Sequence, residues 1–203
     1  TIYGDLDLSL IDELPSGRKK IITWAIGEKK RAGMYKFLAE RMDGGEQVYV
    51  VCPLIKQSDK MDLTDAEALA EKLSTQIFPH RRIALLHGQM KNEDKAEIME
   101  DFRLGKIDLL VATTVIEVGV DVPNATVMVI ENAERFGLAQ LHQLRGRIGR
   151  GEKQGYCILM GHPVGEEAKR RLEVMTKSND GFFIAEEDLQ IRGPGEVLGL
   201  RQH

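Results

Sequence analysis

Ile107-Asp-Leu-Leu-Val-Ala112 runs straight into Thr113-Thr-Val-Ile-Glu-Val-Gly-Val-Asp121. The hexapeptide is apolar on both faces, as a strand must be when helices cover its sheet above and below. Five further runs read as strands: Ile21–Ile26, Gln47–Cys52, Arg82–Leu86, Thr126–Ile130 and Gly155–Met160. Amphipathic stretches of helical length lie between them. Thr64-Asp-Ala-Glu67 has the form of a capping box, and Ala66, Leu69, Leu73 and Ile77 follow at helical spacing. Asn92 is placed to cap the next helix, with Met99 and Phe102 on its core face. Strand and helix alternating over short connections predict an α/β fold, a parallel sheet with helices on both faces.

Beyond Met160 the pattern changes. Two charged helical stretches, Glu166–Lys177 and Ile184–Ile191, are joined by Asn179-Asp-Gly181 and followed by Arg192-Gly-Pro-Gly195. This predicts a helical hairpin and loop packed beside the sheet. Three parts result: a lead-in from a preceding domain over 1–20, the α/β domain over 21–162, and the hairpin with its loop over 163–203.

The chain has 203 residues, enough for one domain with an appendage, and 42% of them are hydrophobic, enough for a sizeable core. A net charge of −4 excludes a uniformly basic nucleic-acid coat. No apolar run approaches the roughly 18 residues of a membrane span, and no signal-peptide pattern opens the chain. Cys52 and Cys157 sit in or beside apolar runs, which fits buried thiols in a reducing cytoplasm. A start at Thr1 fits a fragment of something larger.

No G-x-x-x-x-G-K-[ST] phosphate loop is present, so this chain cannot cradle a triphosphate by itself. Leu10-Ile-Asp-Glu13 only superficially resembles a magnesium-binding strand end, because its apolar run is short and Pro15 follows. The histidines and cysteines lack metal-ligand spacing. The strongest chemical signal is Gln140-Leu-His-Gln-Leu-Arg-Gly-Arg-Ile-Gly-Arg150. On a continuous helix Gln140, Gln143, Arg147 and Arg150 share one face, while Leu141, Leu144 and Ile148 turn to the sheet. Paired guanidinium groups suit an anionic ligand, with Gly146 and Gly149 leaving room for its approach. A solvated basic face with helix-ending glycines fits the same residues.

Ligands of open parallel sheets collect beyond the carboxyl ends of strands. There Thr113 and Thr114 offer hydroxyl and N–H contacts to a phosphate, and Asp121 an acceptor for a ribose hydroxyl. A helix cap, a turn at Gly119 and a loop-shaping Asp before Pro123 are the bland alternative. Past another strand, Leu86-His-Gly-Gln-Met-Lys91 offers His87 and Lys91 to a nucleic-acid backbone, or simply a loop hydrogen bond.

Taken in order, these segments resemble the second motor domain of superfamily 2 helicases. Gln143-Leu-Arg-Gly-Arg147-Ile-Gly-Arg150 matches the family pattern Q-x-x-G-R-x-x-R, and Thr114 to Asp121 matches T-x-x-x-x-G-x-D. Val48-Tyr-Val-Val-Cys-Pro-Leu54, Glu131-Asn-Ala-Glu-Arg-Phe-Gly137 and the tail Asp180 to Gly195 narrow the likeness. It is then to bacterial helicases that remodel branched DNA and stalled forks in recombination and repair. The tail also occurs in transcription–repair coupling translocases; Ile191-Arg-Gly-Pro-Gly195 and Leu198-Gly-Leu-Arg-Gln202 favour the fork remodellers.

The resemblance implies that ATP with Mg2+ binds between two RecA-like domains, mainly to a first motor domain that this chain lacks. A wedge domain would be missing too. It implies Arg147 and Arg150 as arginine fingers on the γ-phosphate, with Gln143, Gly119 and Asp121 lining the nucleotide. His87, Thr113, Thr114 and Arg192 would meet DNA, branched or duplex, with the hairpin coupling ATP hydrolysis to movement. Glu117 has no role in it. The fragment alone is then inactive. The alternatives are the motor of the coupling translocase, an RNA helicase of the same superfamily, or a non-catalytic α/β module for a nucleotide or protein.

Overall fold

The computed structural model describes residues 19–54, 59–113 and 121–198. Six parallel strands form one sheet in the order β1-β6-β5-β2-β4-β3. They are β1 (Ile22–Ile26), β2 (Gln47–Val51), β3 (Ile83–Leu86), β4 (Leu109–Ala112), β5 (Ala125–Ile130) and β6 (Tyr156–Met160). Every strand read from the sequence is present, trimmed or extended only at its ends. The four inner strands are buried along their whole length, because apolar side chains on both faces have no other place to go.

Helices α1 (Arg31–Asp43) and α2 (Asp59–Lys72) cover one face. Met34, Leu38, Met42, Ala66 and Leu73 pack there on Trp24, Val48, Val50, Val127 and Val129. Helices α3 (Asn92–Arg103), α4 (Leu138–Arg145), α5 (Glu166–Lys177) and α6 (Gly181–Leu198) lie on the other. Met99, Phe102, Leu138, Leu141, Ile148, Leu172 and Met175 close that side over Tyr49, Leu110 and Met128. Each such side chain stabilises the fold by about 1.5–3 kcal/mol when removed from water. Cys52 and Cys157 are free and buried, and burial pushes both thiols up to about 12. No helix among the described residues is long and apolar enough to cross a membrane.

Two expectations about helix ends need correction. Thr64 lies inside α2, which starts at Asp59, so Thr64-Asp-Ala-Glu67 is not a capping box. A cap residue marks a start only where the chain ahead of it leaves the helix. Asn92 is the first helical residue of α3, one position past the extended Lys91. Met99 and Phe102 are buried as expected.

The tail holds its hairpin. Helix α5 has the expected bounds; α6 begins at Gly181 and keeps helical backbone to Leu198, except at Gly193 (φ 82°, ψ 160°). Arg192-Gly-Pro-Gly195 is therefore a single-residue break in a helix, not a loop. Glycine takes that positive φ without a Cβ clash, and Pro194 lacks the N–H that would continue the earlier turn. The hairpin turn is pinned to the edge strand. Asn179 accepts from the Ile21 N–H through Oδ1 and donates to the Ile21 carbonyl through Nδ2, both at 3.1 Å. Its amide thus stands in for a neighbouring strand at the start of β1.

Candidate functional site

Helix α4 ends at Arg145, and Gly146 closes it. Arg147 and Arg150 therefore do not continue a helical face with Gln140 and Gln143; they stand on the loop beyond. Gln140 is used locally, its Oε1 accepting from the Gly137 N–H at 2.9 Å at the start of α4. Gly149 has φ 73°, and a Cβ there would sit 3.0 Å from the Ile21 side chain. Gly151 backs onto the Pro123 carbonyl, 2.9 Å from where its own Cβ would be. These glycines fold the arginine loop onto the chain entering β1 and β5, instead of leaving space for a ligand.

Arg145, two residues before Arg147, does not share the setting of the paired arginines: it is 2% exposed. Its guanidinium donates to Thr23 Oγ1 (3.1 Å) and to the carbonyls of Met175 and Ser178 (2.7 Å each). It joins α4 to β1 and to the hairpin. Burial lowers its pKa from the usual arginine value. The signal was present: Arg145 lies four residues past Leu141, on the buried side of α4.

Arg147 is half-buried and Arg150 exposed. The Arg150 Nε donates to the Gly146 carbonyl at 3.0 Å and lies 3.9 Å from Asp121 Oδ1. Burial pushes the Tyr49 hydroxyl up to about 12, with Arg147 opposing and Asp121 reinforcing that shift. Arg147, Arg150 and Asp121 thus form one neighbourhood at the amino ends of the strands. No hydrogen bond or ion pair engages the Arg147 guanidinium among the described residues. Gln143 is exposed on α4 just before this loop.

His87 and Thr113 lie at the opposite, carboxyl edge, after β3 and β4. The His87 Nδ1 accepts from the Gln89 N–H at 3.2 Å. Thr113 is 1% exposed, donates its N–H to the Leu86 carbonyl at 3.1 Å, and has no partner for Oγ1 among the described residues. Its side chain offers no surface to a ligand, against expectation. Thr114, Glu117 and Gly119 lie outside the described residues, as do Leu10–Glu13, most of the lead-in, and 199–203. Arg192, on α6, donates to Asp188 Oδ2 at 2.6 Å.

Sequence reading did not assign chemistry to Glu131. It is 8% exposed at the end of β5 and accepts both terminal nitrogens of Arg31, at 2.8 and 2.7 Å. The pair holds the Arg31 pKa well above its ordinary value. With Cys52 and Asn132, whose φ is 49°, it lines a cavity of about 360 Å3 between the ends of β2 and β5.

Residues 29–152 match the family described as helicase conserved C-terminal domain. A Streptococcus pneumoniae protein named ATP-dependent DNA helicase RecG is 51% identical over 202 residues, covering 100% of this chain and 30% of that protein. The RecG of Pasteurella multocida is 54% identical over 204 residues, covering 100% and 29%. A structure of RecG bound to a three-way DNA junction superposes with a TM-score of 0.75 at 48% identity, over 92% of this chain and 24% of that one. A yeast DEAD-box splicing factor, Prp28, matches at TM-score 0.61 and 17% identity over 88% and 39%, which shows a shared fold. This chain spans under a third of the length of the relatives it matches.

Proposed function

The chain belongs to the family of helicase conserved C-terminal domains, and on that basis we propose that it is the second motor domain of an ATP-dependent DNA helicase acting on branched DNA and stalled forks. Its RecA-like parallel sheet would form one wall of an ATP cleft, facing a first motor domain of the same protein. The observation that carries the reading is the folded loop that sets Arg147 and Arg150 beside Asp121. Two guanidinium groups without a buried carboxylate partner are free to meet phosphoryl oxygens.

ATP, when bound, supplies the phosphoryl group whose transfer drives the motor. Arg147 and Arg150 would offset charge that builds on the γ-phosphate, an effect of about 10³–10⁵ in rate in other NTPases. Asp121 would accept from a ribose hydroxyl, Gly119 would line the nucleotide and Gln143 would position it. No group of three or more metal-binding side chains exists among the described residues. Magnesium would be held mainly by the other motor domain. His87, Thr114 and Arg192 would follow the DNA backbone. The test is ATP turnover by the longer protein with and without branched DNA: stimulation by forks supports the reading, and turnover indifferent to DNA counts against it.

A further inference from the structure

Glu28 borders two crevices at the carboxyl edge of the sheet. One is the cavity of about 360 Å3 between the ends of β2 and β5. The other, of about 540 Å3, lies between the ends of β1 and β6, beside Lys29, Gly161 and His162. Strands β1 and β2 lead into α1 and α2 on one face, whereas their neighbours β6 and β5 lead into α5 and α4 on the other. Where adjacent strands send the chain to opposite faces a crevice opens, and ligands of parallel sheets collect there.

Arg31 lines the first crevice and reaches Glu28, and its guanidinium has two edges in different settings. The inner edge, Nη1 and Nη2, is fixed by the buried Glu131 at 2.8 and 2.7 Å, and Nη1 also meets the Tyr35 hydroxyl at 3.1 Å. The outer edge, Nε and Nη2, donates to Glu28 at 2.9 and 2.7 Å. Glu28 keeps 70% of its side chain exposed. An ion pair so exposed contributes little to stability, and another anion can replace its carboxylate. The spot favours negative charge even with Glu131 present. Hydrogen bonds from Arg31 hold the Glu28 carboxyl below its usual range against slight burial, and the charges of Arg31, Lys72 and His162 add to them. Lys29 and Lys72 are exposed and form no ion pair among the described residues. Asp65, the other exposed acid of the first crevice, stands two turns before Lys72 on α2. A guanidinium locked by a buried carboxylate, with a second fork turned outward among cations, has the form of a phosphate receptor. We propose that the outer fork of Arg31, with Lys29 and Lys72 around it, binds a phosphate group, and that Glu28 holds its place until then. The backbone of DNA on this edge, where His87 also lies, is one source of that phosphate; a free phosphate ion is the other. The DNA source rests on the reading of the chain as a DNA motor domain.

The test uses the full-length protein and surface substitutions that leave the Arg31–Glu131 pair intact. Glu28→Gln removes the place-holding charge and should raise affinity for duplex DNA by about two- to fivefold. Lys72→Gln should lower that affinity and reduce the slope of log affinity against log salt by about 0.9, the worth of one phosphate contact. Glu97→Gln, which removes an exposed acid on α3, controls for net charge. An equal gain from Glu97→Gln overturns the proposal, because the gain then owes nothing to the site. If Glu28→Gln leaves DNA affinity unchanged, inorganic phosphate at constant ionic strength decides. A phosphate-dependent rise in the melting temperature of Glu28→Gln that is lost on adding Lys72→Gln assigns the site to the free ion; no rise overturns the proposal. DNA-stimulated ATP turnover by the unsubstituted protein separates the failures. Turnover without any effect of Glu28→Gln or of phosphate defeats only this site. Absent turnover defeats the motor reading, and the phosphate arm alone then decides the site.

Discussion

Arg145, Arg147 and Arg150 lie within six residues of one another, yet their surroundings give them separate tasks. Arg145 spends its donors on Thr23, Met175 and Ser178 in the interior. Replacing it with Met strands the buried Met175 carbonyl, at about 1–3 kcal/mol for an unmet polar group, and frees the half-buried Ser178 carbonyl. The melting temperature of Arg145→Met should fall clearly, and an unchanged value means these bonds are not maintained in solution. Arg147→Ala and Arg150→Ala should behave differently in the full-length enzyme. Their partner is charge that grows in the transition state, so turnover should drop by orders of magnitude while ATP affinity changes little. Lost affinity with intact turnover would make either arginine a binding group. Gly149→Ala combines a positive φ with a contact to Ile21, and should destabilise the fold by about 1–2 kcal/mol through backbone strain alone. The arginines were legible from residue type and spacing. Their division of labour was not, because helical spacing cannot say that α4 stops at Arg145 or that Gly149 turns the chain back.

At the scale of elements, the strands were legible because burial between two helix layers demands apolar residues on both faces, as in Leu109–Ala112. Helix ends were less so: Thr64 carries a cap signature inside α2, and only the preceding chain decides whether it is used. The tail was legible as a hairpin, while its anchorage was not. Asn179 binds Ile21 from 158 residues away, a contact no local pattern announces. Asn179→Ala removes both bonds, so edge-strand amide exchange near Ile21 should accelerate; unchanged exchange would mean that the turn is held otherwise. Arg192 lies one residue before the break at Gly193, where a swing of the outer segment would be absorbed. If the hairpin couples domain closure to movement, Arg192→Ala in the full-length enzyme keeps DNA-stimulated ATP hydrolysis and loses fork unwinding. A lower melting temperature with both activities falling together would mark the hairpin as a cap on the sheet edge.

Across the whole molecule, the residues expected to act together divide between the two ends of the sheet. Asp121, Arg147 and Arg150 gather at the amino ends; His87 and Thr113 stand at the carboxyl ends. Sequence order could not reveal this, because Thr113 follows the carboxyl end of β4 whereas Asp121 precedes the amino end of β5 in the same parallel sheet. The division suits a motor domain that meets nucleotide on one surface and DNA on another. Charge agrees: with −4 overall, attraction to phosphate must come from local groups, and Arg145 is withdrawn from that set by burial. The central claim is that this chain is one half of an ATP cleft. Its most direct test is DNA-stimulated ATP turnover by purified residues 1–203, measured beside the full-length protein. The account predicts turnover from the full-length protein and none above background from residues 1–203 at any DNA concentration; turnover by residues 1–203 alone would contradict it.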